Sequence, residues 1–315
     1  MSLPAPGRET YNPTDTVASN CTVTTPTTNI SHTTDSVEAR MKIELREIGI
    51  PPRPTILAQI ENETRKDEPD FIHLARLLSS DVGLAAGMIK IANSPFFNFQ
   101  KKVPTVQEAL LVLGLRLVIK TVAGLALRQV FQHVPNMERF WDASAQTAEV
   151  AGLLARQLHP AHGVRPEDAF TFALFRDCGI PVLMIPFPEY RNALAQANNE
   201  AVLPFTAVEE AAMGVNHAEV GAQLAEDWLL PSEICQAIKH HHQRELFDPE
   251  TPIGIRPRRL VALAQLAEHL IQLHTGQAQT CEWEKLGEGC LQTLDLVETD
   301  LKRLAADCFA ELQGR

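Results

Sequence analysis

The sequence predicts an all-helical protein built from two helical bundles packed on each other. From Glu38 onward, apolar residues recur at spacings of three and four, which is the period of a helix with one buried face. No stretch shows the sustained alternation of apolar and polar residues that a half-buried strand requires. Proline and glycine separate the periodic segments and mark the expected helix ends.

Residues 1–38 precede this helical pattern and differ from it in composition. They are rich in Thr, Ser, Asn and Pro and contain almost no large apolar residues. Such a segment cannot bury enough surface to offset its conformational entropy, so we expect a disordered N-terminal tail.

The first bundle is predicted over residues 39–135. Asp70, Asp81 and Thr105 are placed as N-caps, and Thr105 with Glu108 forms a capping box. The predicted helices are, in order, residues 38–48, a helix from Pro54 to about Arg65, one capped by Asp70, one begun by Asp81 and one opened by Thr105. Residues 109–127 are the most apolar run, but charged residues interrupt it, which favours a buried helix over a membrane span.

The second bundle is predicted over residues 136–315. Pro166 begins a helix that ends at Asp177, with Gly179 as its stop signal. Asn216 and Ser232 are placed as N-caps of two further helices. Additional helices are expected over residues 141–152, 259–273 and 300–312.

Composition restricts the classes of function. The net charge of −11 argues against a general nucleic-acid-binding protein, which is usually basic. The six cysteines form no CxxC pair, which indicates reduced thiols of a cytoplasmic protein rather than a zinc ribbon or a disulfide framework. The N-terminal residues lack the apolar core of a signal peptide.

Three neighbouring helices each place a residue of metal-ligand type on an apolar face. These residues are Asp177, His217, and the pair His241 and His242. Imidazole nitrogens and a carboxylate oxygen suit a divalent cation. A hydrogen-bonded polar cluster without a ligand explains the same pattern, because structural networks often mimic sites.

Several motifs, in this order and spacing, resemble one family. The N-terminal motifs are Ile50-Pro-Pro-Arg-Pro54, Leu78-Ser-Ser-Asp81, Ile91-Ala-Asn-Ser-Pro95 and Ala109-Leu-Leu-Val-Leu-Gly114; the later ones are Trp141-Asp-Ala-Ser144, Phe175-Arg-Asp-Cys-Gly179, His217-Ala-Glu-Val-Gly221 and Ala237-Ile-Lys-His-His-His242. From about residue 48 to about residue 270, the chain resembles the HDOD family, the HD-related output domains of bacterial signalling. The resemblance implies an N-terminal helical bundle packed on a degenerate HD-like helical bundle.

The resemblance also implies that the catalytic metal set is incomplete. The positions that hold ligands in active HD hydrolases fall at Ala143, Arg176 and Gln265, while Asp177 and the histidines match. Arg176 adds a permanent positive charge that opposes metal binding, and we expect it to pair with a carboxylate.

We therefore expect a vestigial polar centre with no metal and no cofactor, made of Arg176, Asp177, His217, His241 and His242. The implied role is non-catalytic bacterial signalling, through contact with a signalling protein or through a small effector, without nucleic acid or membrane. The alternative is a metal-dependent phosphohydrolase or cyclic-dinucleotide phosphodiesterase that uses Asp177, His217 and His241.

Overall fold

The structure, a computed structural model, describes residues 48–97, 101–158, 163–276 and 280–313. Within these residues all regular structure is helical, in agreement with the sequence. The helices are α1 Thr55–Thr64, α2 Phe71–Ser79, α3 Val82–Ala92, α4 Val106–Val130, α5 Glu138–Leu158, α6 Pro166–Phe175, α7 Gly179–Leu183, α8 Tyr190–Asn199, α9 Phe205–Met213, α10 His217–Asp227, α11 Ser232–His240, α12 Ile255–Thr275, α13 Glu282–Thr293 and α14 Glu298–Gln313, with 3-10 turns at Pro95–Phe97 and Arg244–Phe247. The predicted tail over residues 1–38 and the predicted helix over residues 38–48 lie outside the described part.

Most of the predicted helix starts are correct. The side chains of Asp70, Asp81, Thr105 and Asn216 each accept a hydrogen bond from a backbone N–H in the first turn of the following helix. Ser232 is an exception, because it is the first residue of α11 and makes no capping hydrogen bond. The N-cap position belongs to Pro231, whose fixed backbone dihedral is compatible with a helix start.

Gly179 is a second exception. It begins α7 and does not end α6 in a left-handed conformation, as the sequence had suggested. Its role is to allow close packing, since a Cβ atom built on Gly179 would lie 2.0 Å from the carbonyl oxygen of His217. Only a glycine lets the backbones of α7 and α10 approach this closely.

The helix α4 is the long apolar element of the fold. Among the described residues it is the single helix with the length and composition to cross a membrane, although α2 and α3 would also qualify if counted as one segment bent by 117°. However, 56% of its most apolar window is buried inside the protein. That burial is typical of the central helix of a bundle.

The two predicted bundles share one hydrophobic core in the part of the chain that the structure describes. Phe96 stacks on Phe170 with ring centroids 5.4 Å apart, and Lys120 of α4 forms an ion pair with Asp168 of α6. Trp228 donates a hydrogen bond from Nε1 to the carbonyl oxygen of Pro51, 3.2 Å away. The predicted boundary near residue 135 falls in the connection between α4 and α5.

Candidate functional site

The structure brings the acidic and histidine side chains of the predicted polar centre together. Asp177 lies in the turn between α6 and α7, His217 is the first residue of α10, and His241 and His242 directly follow α11. One ligand atom from each of these four residues lies within 4.8 Å of the others. The three histidines are buried and Asp177 is partly exposed.

The inward-facing atoms are close enough to share a small cation. Nε2 of His217 lies 3.2 Å from Nε2 of His241 and 3.2 Å from Nε2 of His242. Oδ1 of Asp177 lies 3.2 Å from Nε2 of His241 and 3.5 Å from Nε2 of His217.

The outward-facing nitrogens of the imidazoles have acceptors that define the tautomers. Nδ1 of His217 lies 2.8 Å and 2.9 Å from the carboxylate oxygens of Glu209, and Nδ1 of His241 lies 2.6 Å from the carbonyl oxygen of Ile238. Nδ1 of His242 pairs with Glu282. Because carboxylates and carbonyls accept hydrogen bonds, each Nδ1 carries a proton and donates. This is also how metal-binding histidines are oriented in proteins.

With these tautomers, the three Nε2 atoms and Oδ1 of Asp177 are all hydrogen-bond acceptors, and they point at one another. With all three Nδ1 atoms protonated, the Nε2 atoms and Asp177 Oδ1 require a proton or a metal ion between them. Burial opposes a charge on His217, but Glu209 and Asp177 raise its pKa to about 10. Burial and the neighbouring His241 lower the pKa of His242 to about 4. Without a metal, a proton on Nε2 of His217 therefore lets that nitrogen donate to one of its neighbours, while Nε2 of His241 and Oδ1 of Asp177 still face each other as two acceptors.

Arg176 holds the other oxygen of Asp177. Its Nε donates to Oδ2 of Asp177 at 3.0 Å, and its Nη2 pairs with Oε2 of Glu268 at 2.9 Å. The residue is 8% exposed, and its Nη1 is buried without a hydrogen-bond partner among the described residues. Burial alone would raise the pKa of Asp177, but Arg176 and the histidines hold it well below its usual value.

The donor set fits one metal ion and does not fit two. Asp177 Oδ1 and the three Nε2 atoms converge as the ligands of a single divalent cation do. A second ion would have to bind Asp177 through Oδ2, and the guanidinium of Arg176 lies there instead. Its charge is permanent, so it repels a cation at any pH at which the protein is folded.

Two positions that the resemblance assigned to lost ligands, Ala143 and Gln265, do not reach the polar centre in the structure. Ala143 is exposed on α5, whereas Phe140 is the residue of that helix that lines the cavity beside Asp177; Met137, which precedes the helix, lines it as well. Gln265 is buried in α12, but the residue of α12 that reaches the polar centre is Glu268, almost one helical turn later. The expected ion pair of Arg176 thus has two acceptors, Asp177 and Glu268.

Three functional carboxylates were not singled out in the sequence. Glu209 is fully buried behind His217, Glu282 is buried behind His242, and Glu268 faces Arg176. Burial opposes their ionisation, but His217 keeps the pKa of Glu209 low, and His242 and Lys285 lower that of Glu282 to about 2. Only the pairing of an acidic residue with a histidine or an arginine across helices would have revealed them.

A cavity of about 260 Å³ opens onto the polar centre. Arg176, Asp177, Glu268 and His242 contribute to its wall, as does Phe205, whose ring stacks on His242 with centroids 4.6 Å apart. The centre is therefore accessible to a small molecule.

An all-helical fold with three buried histidines and a partly exposed aspartate between its helices is the arrangement that the sequence resemblance implied. A model of the HDOD domain family matches residues 50–244, and the chain belongs to that family. An uncharacterized protein of Treponema pallidum (strain Nichols) is 25% identical over 252 residues, which are 79% of this chain and 47% of that protein. The chain thus spans about half the length of this curated relative.

Solved structures show the same fold. An HDOD domain protein with unknown function from Geobacter sulfurreducens superposes with a TM-score of 0.59 at 21% identity, over 88% of this chain and 99% of that one. A proposed phosphohydrolase from Shewanella amazonensis SB2B gives 0.59 at 22% identity, over 86% and 94%. A proposed signal transduction protein from Marinobacter aquaeolei VT8 gives 0.56 at 21% identity, over 84% and 60%.

Proposed function

We propose that the protein is a non-catalytic regulatory component of bacterial signal transduction that works in the cytoplasm. It acts through contact with a signalling protein or through binding of a small effector. The observation that carries the proposal is the contact of Arg176 with Oδ2 of Asp177, which fills the position of a second metal ion with a fixed cation.

The argument follows from what two-metal hydrolysis requires. Two ions clamp the attacking and leaving oxygens of the reaction, and a shared carboxylate holds them together. Asp177 has one oxygen directed at the histidines and the other at Arg176, so it cannot bridge two ions. Glu268 adds a second acceptor that keeps the guanidinium in place.

The family and the cysteines support the rest of the proposal. The chain belongs to the HDOD family, whose name refers to HD-related output domains of bacterial signalling. A proposed signal transduction protein has a similar fold. The five cysteines in the described residues are all free, as expected in a reducing compartment.

The four convergent ligand atoms favour a second candidate, a metal-dependent phosphohydrolase or cyclic-dinucleotide phosphodiesterase. Asp177, His217, His241 and His242 would hold one divalent ion, and such an ion would supply an activated water. Glu209 and Glu282 would orient two of the imidazoles. The similar fold of a proposed phosphohydrolase is consistent with this candidate.

Hydrolysis assays separate the two candidates. We expect the 315-residue chain, purified without chelator and supplied in turn with Mn²⁺, Fe²⁺ and Zn²⁺, to hydrolyse neither p-nitrophenyl phosphate nor cyclic dinucleotides above the rate of the Asp177→Ala variant. The reason is that one ion beside a guanidinium leaves the clamp incomplete. Metal content is measured on the same samples by elemental analysis.

The proposal would be refuted if the protein carried about one equivalent of metal and showed hydrolysis that the Asp177→Ala variant lacks. Bound metal without hydrolysis would leave the regulatory role intact and identify the ion as part of the polar centre. Replacement of Arg176 by His should then raise the metal stoichiometry, since it removes the permanent charge and adds a ligand.

A further inference from the structure

A second and larger cavity lies away from the polar centre, between the two groups of helices. Its volume is about 710 Å³, within the range of small-molecule sites. Helices α3 and α4 form one side, and helices α5 and α6 form the other. A molecule bound here would contact both predicted bundles at once.

The walls of this interlobe pocket are mainly apolar. Trp141, Phe170, Leu125, Leu174 and Ile91 supply large side chains. Three glycines, Gly83, Gly87 and Gly124, also line the pocket. They let neighbouring side chains of the wall pack directly on the helix backbones, since a Cβ added at these positions would lie 2.8, 2.5 and 2.3 Å from Gln129, Leu125 and Leu174 respectively. An apolar or aromatic body fits such walls.

Cationic side chains outnumber carboxylates among the residues that line the pocket. Lys90 and Arg128 are cationic, and Glu149 is the one carboxylate among the lining residues. Burial raises the pKa of Glu149, and the charge of Lys90 opposes that shift, so these two opposite charges partly offset each other. Arg128 is exposed and has no ion-pair partner among the described residues. The pocket therefore has one uncompensated positive charge.

Ser94 adds an unsatisfied polar group. Its Oγ is buried and has no hydrogen-bond partner in the part of the chain that the structure describes. A buried hydroxyl without a partner is costly in a folded protein, and a ligand in the pocket would supply the missing bond.

We infer that the interlobe pocket binds a small apolar monoanion, with an aromatic or aliphatic body between Trp141 and Leu174 and its acidic group at Arg128. This names the effector class of the regulatory function proposed above and rests on it for its biological purpose. The route to the polar centre is short, because Leu174 lies on α6 and Arg176 and Asp177 follow directly at its end.

The test uses two fluorescent probes that differ in charge: 8-anilinonaphthalene-1-sulfonate, an apolar monoanion, and N-phenyl-1-naphthylamine, its neutral analogue. We expect the folded 315-residue chain to bind one molecule of the sulfonate probe saturably, and more tightly than it binds the neutral probe. Ala145→Phe should weaken both probes about tenfold, because Ala145 lines the pocket from an exposed position and a larger side chain fills it.

Reversing the charge of Arg128 tests whether this side chain binds the acidic group of the ligand. Arg128→Glu should weaken the sulfonate about tenfold and change the neutral probe less than about twofold, because an attraction becomes a repulsion at the pocket mouth. Ala143→Phe and Arg139→Glu are the matched controls; both residues are exposed on α5 and lie outside the pocket, so both variants should bind like the unmodified protein.

The inference is overturned by the absence of saturable binding, by unchanged binding in Ala145→Phe, or by an Arg128→Glu variant that affects both probes equally. Equal affinity of the unmodified protein for the two probes would also overturn the choice of an anion. These outcomes are independent of the hydrolysis assays: activity that depends on Asp177 would refute the non-catalytic function and leave the probe result standing.

Discussion

The variant Gly179→Ala is expected to lower the free energy of unfolding by at least about 3 kcal/mol, because it forces overpacking between two backbones. The added Cβ would lie 2.0 Å from the carbonyl oxygen of His217 and 2.8 Å from the backbone nitrogen of Gly221. No side-chain rotation relieves a contact with backbone, so α7 and α10 must separate. The polar centre should be disturbed as well, since α10 carries His217 and α7 follows Asp177.

Denaturant unfolding measures this change, with Gly254→Ala as the control. Gly254 precedes α12, and the nearest atom to its added Cβ is 3.9 Å away, which is an ordinary contact. The control should change the free energy of unfolding by less than about 1 kcal/mol. A loss below about 1 kcal/mol in Gly179→Ala would show that α7 and α10 are not packed this closely.

The contrast between capping residues and Gly179 shows what local sequence determines. Asp81, Thr105 and Asn216 could be assigned as caps because a short polar side chain and the helix it begins are adjacent in the chain. The requirement at Gly179 comes from His217, which lies 38 residues further on. From the sequence alone, Gly179 therefore resembled an ordinary helix stop. In the structure it allows the backbones of α7 and α10 to pack closely.

The polar centre was predictable in its histidines and not in their supporting carboxylates. In the sequence, Asp177, His217 and His241 continue the spacing of otherwise apolar predicted helix faces, where a polar residue is conspicuous. Glu209 and Glu282 lie among many acidic residues that normally face solvent. Only the packing of α9 and α13 behind the histidines buries these two carboxylates and makes them hydrogen-bond acceptors.

The sequence also could not show which residue of α12 reaches the polar centre. A helix that is buried on several sides gives no single face on which to locate a ligand, and α12 is buried along most of its length. The resemblance placed the missing carboxylate at Gln265, whereas Glu268 contacts Arg176. The sequence did indicate that Arg176 needs a carboxylate, because a buried guanidinium without one is unstable.

The pairing of Arg176 with carboxylates predicts a second large loss of stability, in a variant that lacks the guanidinium. Arg176→Met should lower the free energy of unfolding by about 2–4 kcal/mol, because Asp177 and Glu268 both lose the guanidinium with which they pair. The side chains of Asp177 and Glu268 are 19% and 21% exposed, so water stabilises the unpaired carboxylates in part and keeps the loss below that of a fully buried pair.

The same substitution at an exposed ion pair is the control. Arg256 contacts Glu233 where both side chains are almost half exposed, and Arg256→Met should cost less than about 1 kcal/mol. Adding Glu268→Leu to Arg176→Met should recover about 1 kcal/mol or more relative to the sum of the single changes, because the second carboxylate is then gone. Additive losses, or an Arg176→Met variant as stable as the Arg256→Met control, would mean that the guanidinium does not hold Asp177 and Glu268, and the argument against a second metal ion would lose its physical basis.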